Sequence, residues 1–358
     1  MEQALYHPEH GYYSSGRASI GRCGDYFTSV SIGPVFGQLL AAQFAQIWER
    51  LGKIDNFVIV EQGAHHGDFA HDVLCAACKR WPEFFAALRY RIVEPFPLLQ
   101  DRQSQTLAAY EGKIEWRDSI DALEPFTGVH FSNELLDAMP VHLIVSTEER
   151  KGSTNWRERF VALDGDEFAF VEQPIVHPAL QTFVGKLPPR PAGYQTEVNL
   201  AALDWIGNLS AKLERAYVLA IDYGFRHGEF YTPYRTAGTL QVRAQQRHLA
   251  SPFDEIGHAD ITTHVDWTSV AEHAEARGLR VRGFTDQHHF ITGIISELAV
   301  PLEDVDAKTK RALQTLLHPE MLGRAFQGLA LATAVGVAAP LAGFKFARSI
   351  SSRVVPLT

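Results

Sequence analysis

The stretch Phe57-Val-Ile-Val-Glu-Gln-Gly-Ala-His-His-Gly-Asp68 constrains the fold more than any other part of the chain. A short β-branched run ends in a carboxylate, Glu61, and opens into a loop with glycines at Gly63 and Gly67. In an open parallel sheet the first strand ends in this way beneath a nucleotide-like ligand. A second apolar run, Leu88-Arg-Tyr-Arg-Ile-Val, stops at another acid, Glu94. An acid at the tip of a second strand is placed to accept hydrogen bonds from both hydroxyls of a ribose. The pair predicts adenosine bound across a doubly wound sheet. An ordinary tight turn between strand and helix is the plainer alternative.

A chain of 358 residues holds one large α/β domain with an insertion, or two domains. Its hydrophobic fraction, 46%, is that of a globular protein without long disordered tracts. The net charge of −9 gives no electrostatic footprint for nucleic acid or an anionic membrane, so neither is expected as a partner. Three cysteines, Cys23, Cys75 and Cys78, are too few for a disulfide framework. The Cys75-Ala-Ala-Cys78 spacing resembles a redox motif but falls inside a helical stretch, which favours two ordinary thiols in a reducing compartment. The first residues, Met1-Glu-Gln-Ala-Leu-Tyr-His-Pro, lack the basic and apolar regions of an export signal, and a cytoplasmic location is expected. Ala325 to Phe344 is uncharged, yet its glycines, alanines and Pro340 suit a helix plus a buried strand better than a membrane span.

Apolar runs alternate with helical stretches in the manner of βαβ units. Strands are expected near 56–61, 89–94, 113–116, 128–133 and 216–222, with helices over 68–79 and 95–109. Residues 156–163 and 167–172 alternate around Asp164-Gly165, a hairpin signal. A Pro-rich stretch and a helix near 197–214 follow. In the tail, a strand from Leu279, helices near 302–317 and 319–332, and a last strand from Leu341 would complete a seven-stranded sheet. The expected division is a cap segment over 1–55, a core made of 56–140 and 215–358, and an inserted α+β lobe over 141–214. The hairpin at 156–172 offers an edge for pairing, so a homodimer is possible on sequence grounds.

Three further motifs bear on function. Phe131-Ser-Asn-Glu-Leu-Leu-Asp-Ala-Met-Pro-Val puts Asn133, Glu134 and Asp137 just past the fourth strand, in the crevice where such sheets bind ligands. Val218-Leu-Ala-Ile-Asp-Tyr-Gly puts Asp222 and Tyr223 at the tip of the fifth, on the same rim. Gly24-Asp-Tyr-Phe-Thr-Ser29 precedes an apolar helix that its Ser, Thr and Asp side chains could cap, and the same segment could fold over the pocket.

With these residues the chain resembles the MidA-like family of S-adenosylmethionine-dependent methyltransferases. The resemblance also takes in Tyr6-His-Pro-Glu-His-Gly-Tyr-Tyr, Gly238-Thr-Leu, Ala259-Asp-Ile-Thr-Thr-His-Val-Asp-Trp and Glu320-Met-Leu-Gly-Arg-Ala-Phe. It implies a Rossmann-like methyltransferase sheet, S-adenosylmethionine as cofactor and a protein arginine as methyl acceptor, with a respiratory-complex-like subunit as the partner. It further implies a cofactor site of Asp25, Thr28, Glu61, Gly63, His65, Gly67, Glu94 and Asn133. Asn133, Glu134 and Asp137 would then form the catalytic segment.

One departure stands out. The family loop reads Glu-Leu-Gly-Pro-Gly-x-Gly, and here His65 takes the place of the middle glycine, where backbone runs close to the cofactor's amino-acid part. A metal site from His65, His66 and His71 is an alternative without obvious companion carboxylates. The rival function is a binding or assembly protein on a methyltransferase fold with little turnover. A nicotinamide oxidoreductase shares the early βαβ pattern but leaves the acidic Asn133-Glu134 motif unexplained.

Overall fold

The computed structural model describes residues 1–18, 28–150, 153–297, 306–334 and 340–350. Its main sheet is built from β1 (Phe57–Gln62), β2 (Leu88–Val93), β3 (Ile114–Arg117), β4 (Phe126–Asn133), β5 (Leu213–Phe225), β6 (Arg280–Asp286) and β7 (Phe326–Ala332). The spatial order is β3-β2-β1-β4-β5-β7-β6, and a two-residue strand, Val265–Asp266, pairs with the end of β5. All neighbours run parallel except β7, which is antiparallel to both β5 and β6. This is the doubly wound, Rossmann-like seven-stranded sheet that the resemblance implies. The chain leaves β1 toward β2 and β3 on one side and returns to β4 on the other, so the crevice opens at the carboxyl ends of β1 and β4.

Helices cover both faces. On one face, helices Val35–Arg50, Asp68–Arg80 and Gln287–Glu297 pack on Phe57, Ile59, Ile92, Val129 and Phe131. On the other, helices Leu200–Ser210 and Trp267–Ala276 pack on Val218, Ala220, Leu329 and Leu331. Burial on both sides explains why the inner strands read as continuous apolar runs rather than as alternating ones.

Residues 142–198 contribute a second, four-stranded antiparallel sheet, in the order Glu167–Pro174, Ser153–Asp164, His142–Arg150, Gln195–Val198. The helix that follows, Leu200–Ser210, packs on the main sheet although it falls within the span expected for the inserted lobe. The helix expected over 197–214 is shorter, because Gln195–Val198 pairs with His142–Val145 and β5 already begins at Leu213. A third sheet joins Gln241–Ala244, Arg247–His248 and Asp260–Thr262, and it packs against Leu5, Tyr12 and Ala18 of the N-terminal segment.

Two tail expectations are corrected. The helix expected over 319–332 is a single helical turn, Pro319–Gly323, followed by β7. Every residue of β7 is buried between β5 and β6, and a fully buried apolar run has no face for its periodicity to reveal. The strand expected from Leu341 is a short 3-10 turn, Ala342–Phe344, whose amides bond to Gln43 and Gln46. The seventh strand is therefore β7. Among the described residues, no helix is long and apolar enough to cross a membrane.

Candidate functional site

A cavity of about 870 Å³ opens at the carboxyl ends of β1, β2 and β4. It is lined by Thr28, Glu61, Gly63, His65, Glu94, Asn133 and Glu134, seven of the residues singled out in the sequence. Gly67 and Asp137 lie behind its wall, and Asp25 lies outside the described residues.

The loop after β1 needs left-handed backbone three times: at Gly63 (φ 80°), His65 (φ 47°) and Gly67 (φ 86°). Histidine thus adopts the conformation for which glycine is usually reserved, at a modest cost in strain. Gly67 ends the loop as the residue before helix Asp68–Arg80, packed on Leu107 and Gln103. The imidazoles of His65 and His66 stack with ring centres 3.7 Å apart. The Arg102 guanidinium lies 3.1 Å from His66 Nε2 and also donates to the Gly16 carbonyl. Burial holds His65 down at about 4, helped by His66, while a hydrogen bond to the Ala18 backbone opposes the shift. His65 Nε2 is buried without a partner. His71 turns instead to Asp72, and among the described residues no group of three or more His, Cys, Asp or Glu could hold a metal. Cys75 and Cys78 are free thiols on the helix.

Glu94 sits at the tip of β2, buried, with the Phe96 amide donating to Oε1 and Gln103 Nε2 to Oε2. Burial pushes its carboxyl up to about 7 against these two donors. Each oxygen keeps a lone pair for a further donor, as a ribose diol requires. Gln103 also donates to the His65 carbonyl and accepts from Trp116 Nε1, so one buried amide clamps loop, acid and β3 together. Sequence reasoning missed Gln103, because nothing in the pattern of its helix marks it. Glu61 accepts from Tyr90 Oη at 2.6 Å, and burial raises it to about 8.

Past β4 the chain turns at Glu134, whose φ of 54° is also left-handed. Asp222 holds the turn: its Oδ2 accepts from the amides of Leu135, Leu136 and Asp137, and its Oδ1 from Tyr223. Asn133 Nδ2 donates to Glu134 Oε1, which aims the carboxylate, while Asn133 Oδ1 and Asp137 Oδ1 are buried without partners. Burial lifts Glu134 and Asp137 well above the usual carboxylate range, and Asp222 and Asp260 raise both further. Burial also lifts Asp222 to about 7 despite its four amide donors. The result is a buried, electronegative wall beside the cavity. No helix starts there for Glu134 to cap.

The N-terminal residues close the cavity against this wall. Tyr6 Oη donates to the Ala138 carbonyl and Tyr13 Oη to Asp260, with the two rings stacked 5.7 Å apart. Asp260, Tyr6 and Tyr13 belong to motifs quoted above, yet none was assigned to the site. In the Gly24–Ser29 segment, Thr28 lines the cavity and exchanges hydrogen bonds with Ser31, while Ser29 bonds to Gln287. Neither caps the next helix, which starts after Pro34 with no side-chain cap; this corrects that part of the expectation.

A carboxylate pair at two strand tips, a left-handed loop and orphaned polar atoms at its edge fit an adenosyl amino acid. The sequence profile described as "Putative S-adenosyl-L-methionine-dependent methyltransferase" matches residues 39–285. The chain belongs to this methyltransferase family. Its cofactor is S-adenosylmethionine. The methyltransferase is 27% identical to the Drosophila melanogaster "Protein arginine methyltransferase NDUFAF7 homolog, mitochondrial", over 92% of this chain and 80% of the relative. It is 26% identical to the human "Protein arginine methyltransferase NDUFAF7, mitochondrial", over 92% and 78%. A Burkholderia thailandensis protein crystallised with S-adenosyl-homocysteine superposes with a TM-score of 0.85 at 29% identity, covering 97% of this chain and 89% of its own.

Proposed function

We propose that this methyltransferase modifies a guanidinium nitrogen of a protein arginine. The observation that carries the reading is the acidic wall: Asp222 and Asp260 raise the proton affinity of the buried Glu134 and Asp137 beside the cofactor cavity. Such a wall is unfavourable alone and favourable once a cation docks on it. A guanidinium is planar, permanently charged and able to meet a carboxylate with two donors, which suits Glu134 held by Asn133. The curated relatives carry protein arginine methyltransferase in their names, which supports the same acceptor.

Bound S-adenosylmethionine supplies a methyl group on a sulfonium centre. The chain's residues do the rest. Glu94 and the loop from Gly63 to Gly67 orient the cofactor, and Asn133 with Glu134 orients the acceptor nitrogen. Glu134 carries the charge that holds the guanidinium and takes the proton the nitrogen loses after transfer, a role for which its raised proton affinity suits it. Asp137 and Asp222 keep the segment in place. Tyr6 and Tyr13 exclude water from the acceptor side.

The rival reading, a binding protein with little turnover, drew on the altered glycine loop. His65 takes up the left-handed conformation itself, so the substitution leaves the loop's path open to a ligand. The test is a mass-spectrometric comparison of methylated peptides from cells with and without the gene, followed by transfer of labelled methyl to the identified peptide. Methylarginine that disappears with the gene is the expected result. Methylation confined to another residue type would overturn the acceptor, and no change at all would favour the binding protein.

A further inference from the structure

We propose that a second pocket, lined by Arg226, Arg324 and Arg348, holds a carboxylate side chain of the acceptor protein, roughly three residues from the methylated arginine. This subsite rests on the protein-arginine reading above and deepens it.

The pocket, about 160 Å³, opens where β5 ends and β7 begins, on the rim that carries the cofactor cavity. Arg226 follows β5, Arg324 precedes β7, and Arg348 comes from the tail, where its amide donates to the Phe284 carbonyl of β6. Glu229 is the one carboxylate in the lining, and it is taken up by Arg226. Arg348 Nη2 donates to Gln327 Oε1 at 2.6 Å and lies 3.8 Å from Asp286, whose other oxygen takes the His289 amide. The Arg324 guanidinium has no partner among the described residues. Positive charge is therefore in excess here, on a chain whose net charge is −9. Burial, helped by Arg235 and Arg243, holds His264, another lining residue, down at about 4.

Tyr223 joins this pocket to the acidic wall. Its ring lines the pocket and packs on Phe326, with ring centres 4.0 Å apart. Burial, then Glu134 and Asp137, push its phenol up, so those carboxylates stand close by. Neighbouring strands lie about 4.8 Å apart, which sets the end of β7 roughly 10 Å from the tip of β4 across β5. An extended peptide advances about 3.3 Å per residue, so roughly three residues span that gap. A guanidinium on the acidic wall and a carboxylate among the arginines then complement the rim together. The fork of a guanidinium meets a carboxylate with two parallel hydrogen bonds. The pocket shares no lining residue with the cofactor cavity, so the cofactor's own carboxylate is not its occupant.

The first test follows arginine Nε–H spectra of the full chain during titration with capped glutamate or capped glutamine. Glutamate should shift the Arg226, Arg324 and Arg348 signals together, and glutamine none of them. No shift, or an equal shift at an exposed arginine elsewhere such as Arg80, would overturn the subsite. The second test measures methyl transfer to capped peptides with one arginine and either glutamate or glutamine about two to four residues away on either side. At the best spacing glutamate should raise kcat/KM about five- to tenfold, through KM, a modest gain because the guanidiniums stay in contact with solvent. Arg324→Gln should bring the glutamate-to-glutamine ratio close to one, and Arg324→Glu should make lysine the preferred neighbour. A merely structural Arg324 would lower every peptide alike and keep the ratio, which would overturn its role. Equal kcat/KM for glutamate and glutamine at every spacing would overturn the subsite and leave arginine as the acceptor. Methylation of none of the peptides, with the glutamate shift present, would instead bring down the arginine reading, and the occupant assigned here with it.

Discussion

Glu94 and Glu134 have similar surroundings and different expected roles, and single substitutions separate them. Glu94→Ala should weaken S-adenosylhomocysteine binding by roughly 1–3 kcal/mol, because a diol loses its acceptors. Unchanged calorimetric affinity would remove Glu94 from the site. Glu134→Gln preserves size and the bond from Asn133 only in part, but removes the charge. It should leave cofactor affinity intact and lower turnover on the identified peptide by on the order of 100-fold or more. His130 gives a prediction unrelated to chemistry. It is fully buried on β4 with neither ring nitrogen bonded, edge-on to Trp205, and burial lowers it to about 3. A histidine depressed on folding contributes stability that is present above its unfolded value, near 6.5, and lost as pH falls toward about 3. Relative to wild type, His130→Phe should therefore flatten the acid side of a stability profile by up to about 1.4 kcal/mol per pH unit in that window. Parallel profiles from denaturant titrations would contradict this. At this scale the strand-tip acids were legible because a strand end leaves its last side chain facing the crevice. Gln103 was not, since its clamp exists only once helix, loop and β3 have met.

Asp222 shows how one side chain can fix a whole element. Its carboxylate gathers three consecutive amides of the turn after β4 and one from its own strand, which is why Glu134 persists in a left-handed conformation. Asp222→Ala strands those amides yet relieves repulsion from Asp137 and Glu134, so the two effects oppose each other in stability. The expected outcome is a modest change in melting temperature with a large loss of turnover. A turnover near wild type would show that the turn holds without its anchor. Gly128 is a sterner case. A Cβ there would run into the Val58 backbone, where β4 pairs with β1, so Gly128→Ala should prevent soluble expression. The inner strands were readable in the sequence because loops with glycine and acidic signals bracket them. β7 was not, for a run buried on both faces carries neither the period of a strand nor that of a helix.

Across the molecule, the smaller sheets do structural work for the cavity at a distance. Glu197, on Gln195–Val198, accepts from the amides of Thr239 and Leu240 and from the Thr239 hydroxyl, which tethers the four-stranded sheet to the Gly238-Thr-Leu motif. Thr239 Oγ1 in turn receives the His264 amide, and His264 stacks on Phe225 at the end of β5. Glu197→Gln should loosen this tie, seen as faster amide exchange over 238–264 with little change in β1 to β4. Unaltered exchange in that segment would mean the tie is redundant. The resemblance of separated motifs made the family legible, whereas these ties between sheets depend on contacts that no local pattern encodes.

The place of β7 has a consequence for how the protein is made. A ribosome releases β1 to β4 early, and this half can pair in register as it emerges. β5 and β6 follow, but the strand that belongs between them comes last, more than a hundred residues after β5 begins. Until then both carry open, apolar edges, or pair with each other wrongly. A nascent chain halted before Phe326 should therefore bind chaperones and aggregate when released, while one carried past Ala332 should not. Equal solubility of the two, measured by fractionation of arrested and completed chains, would mean that β5 and β6 wait safely for their partner.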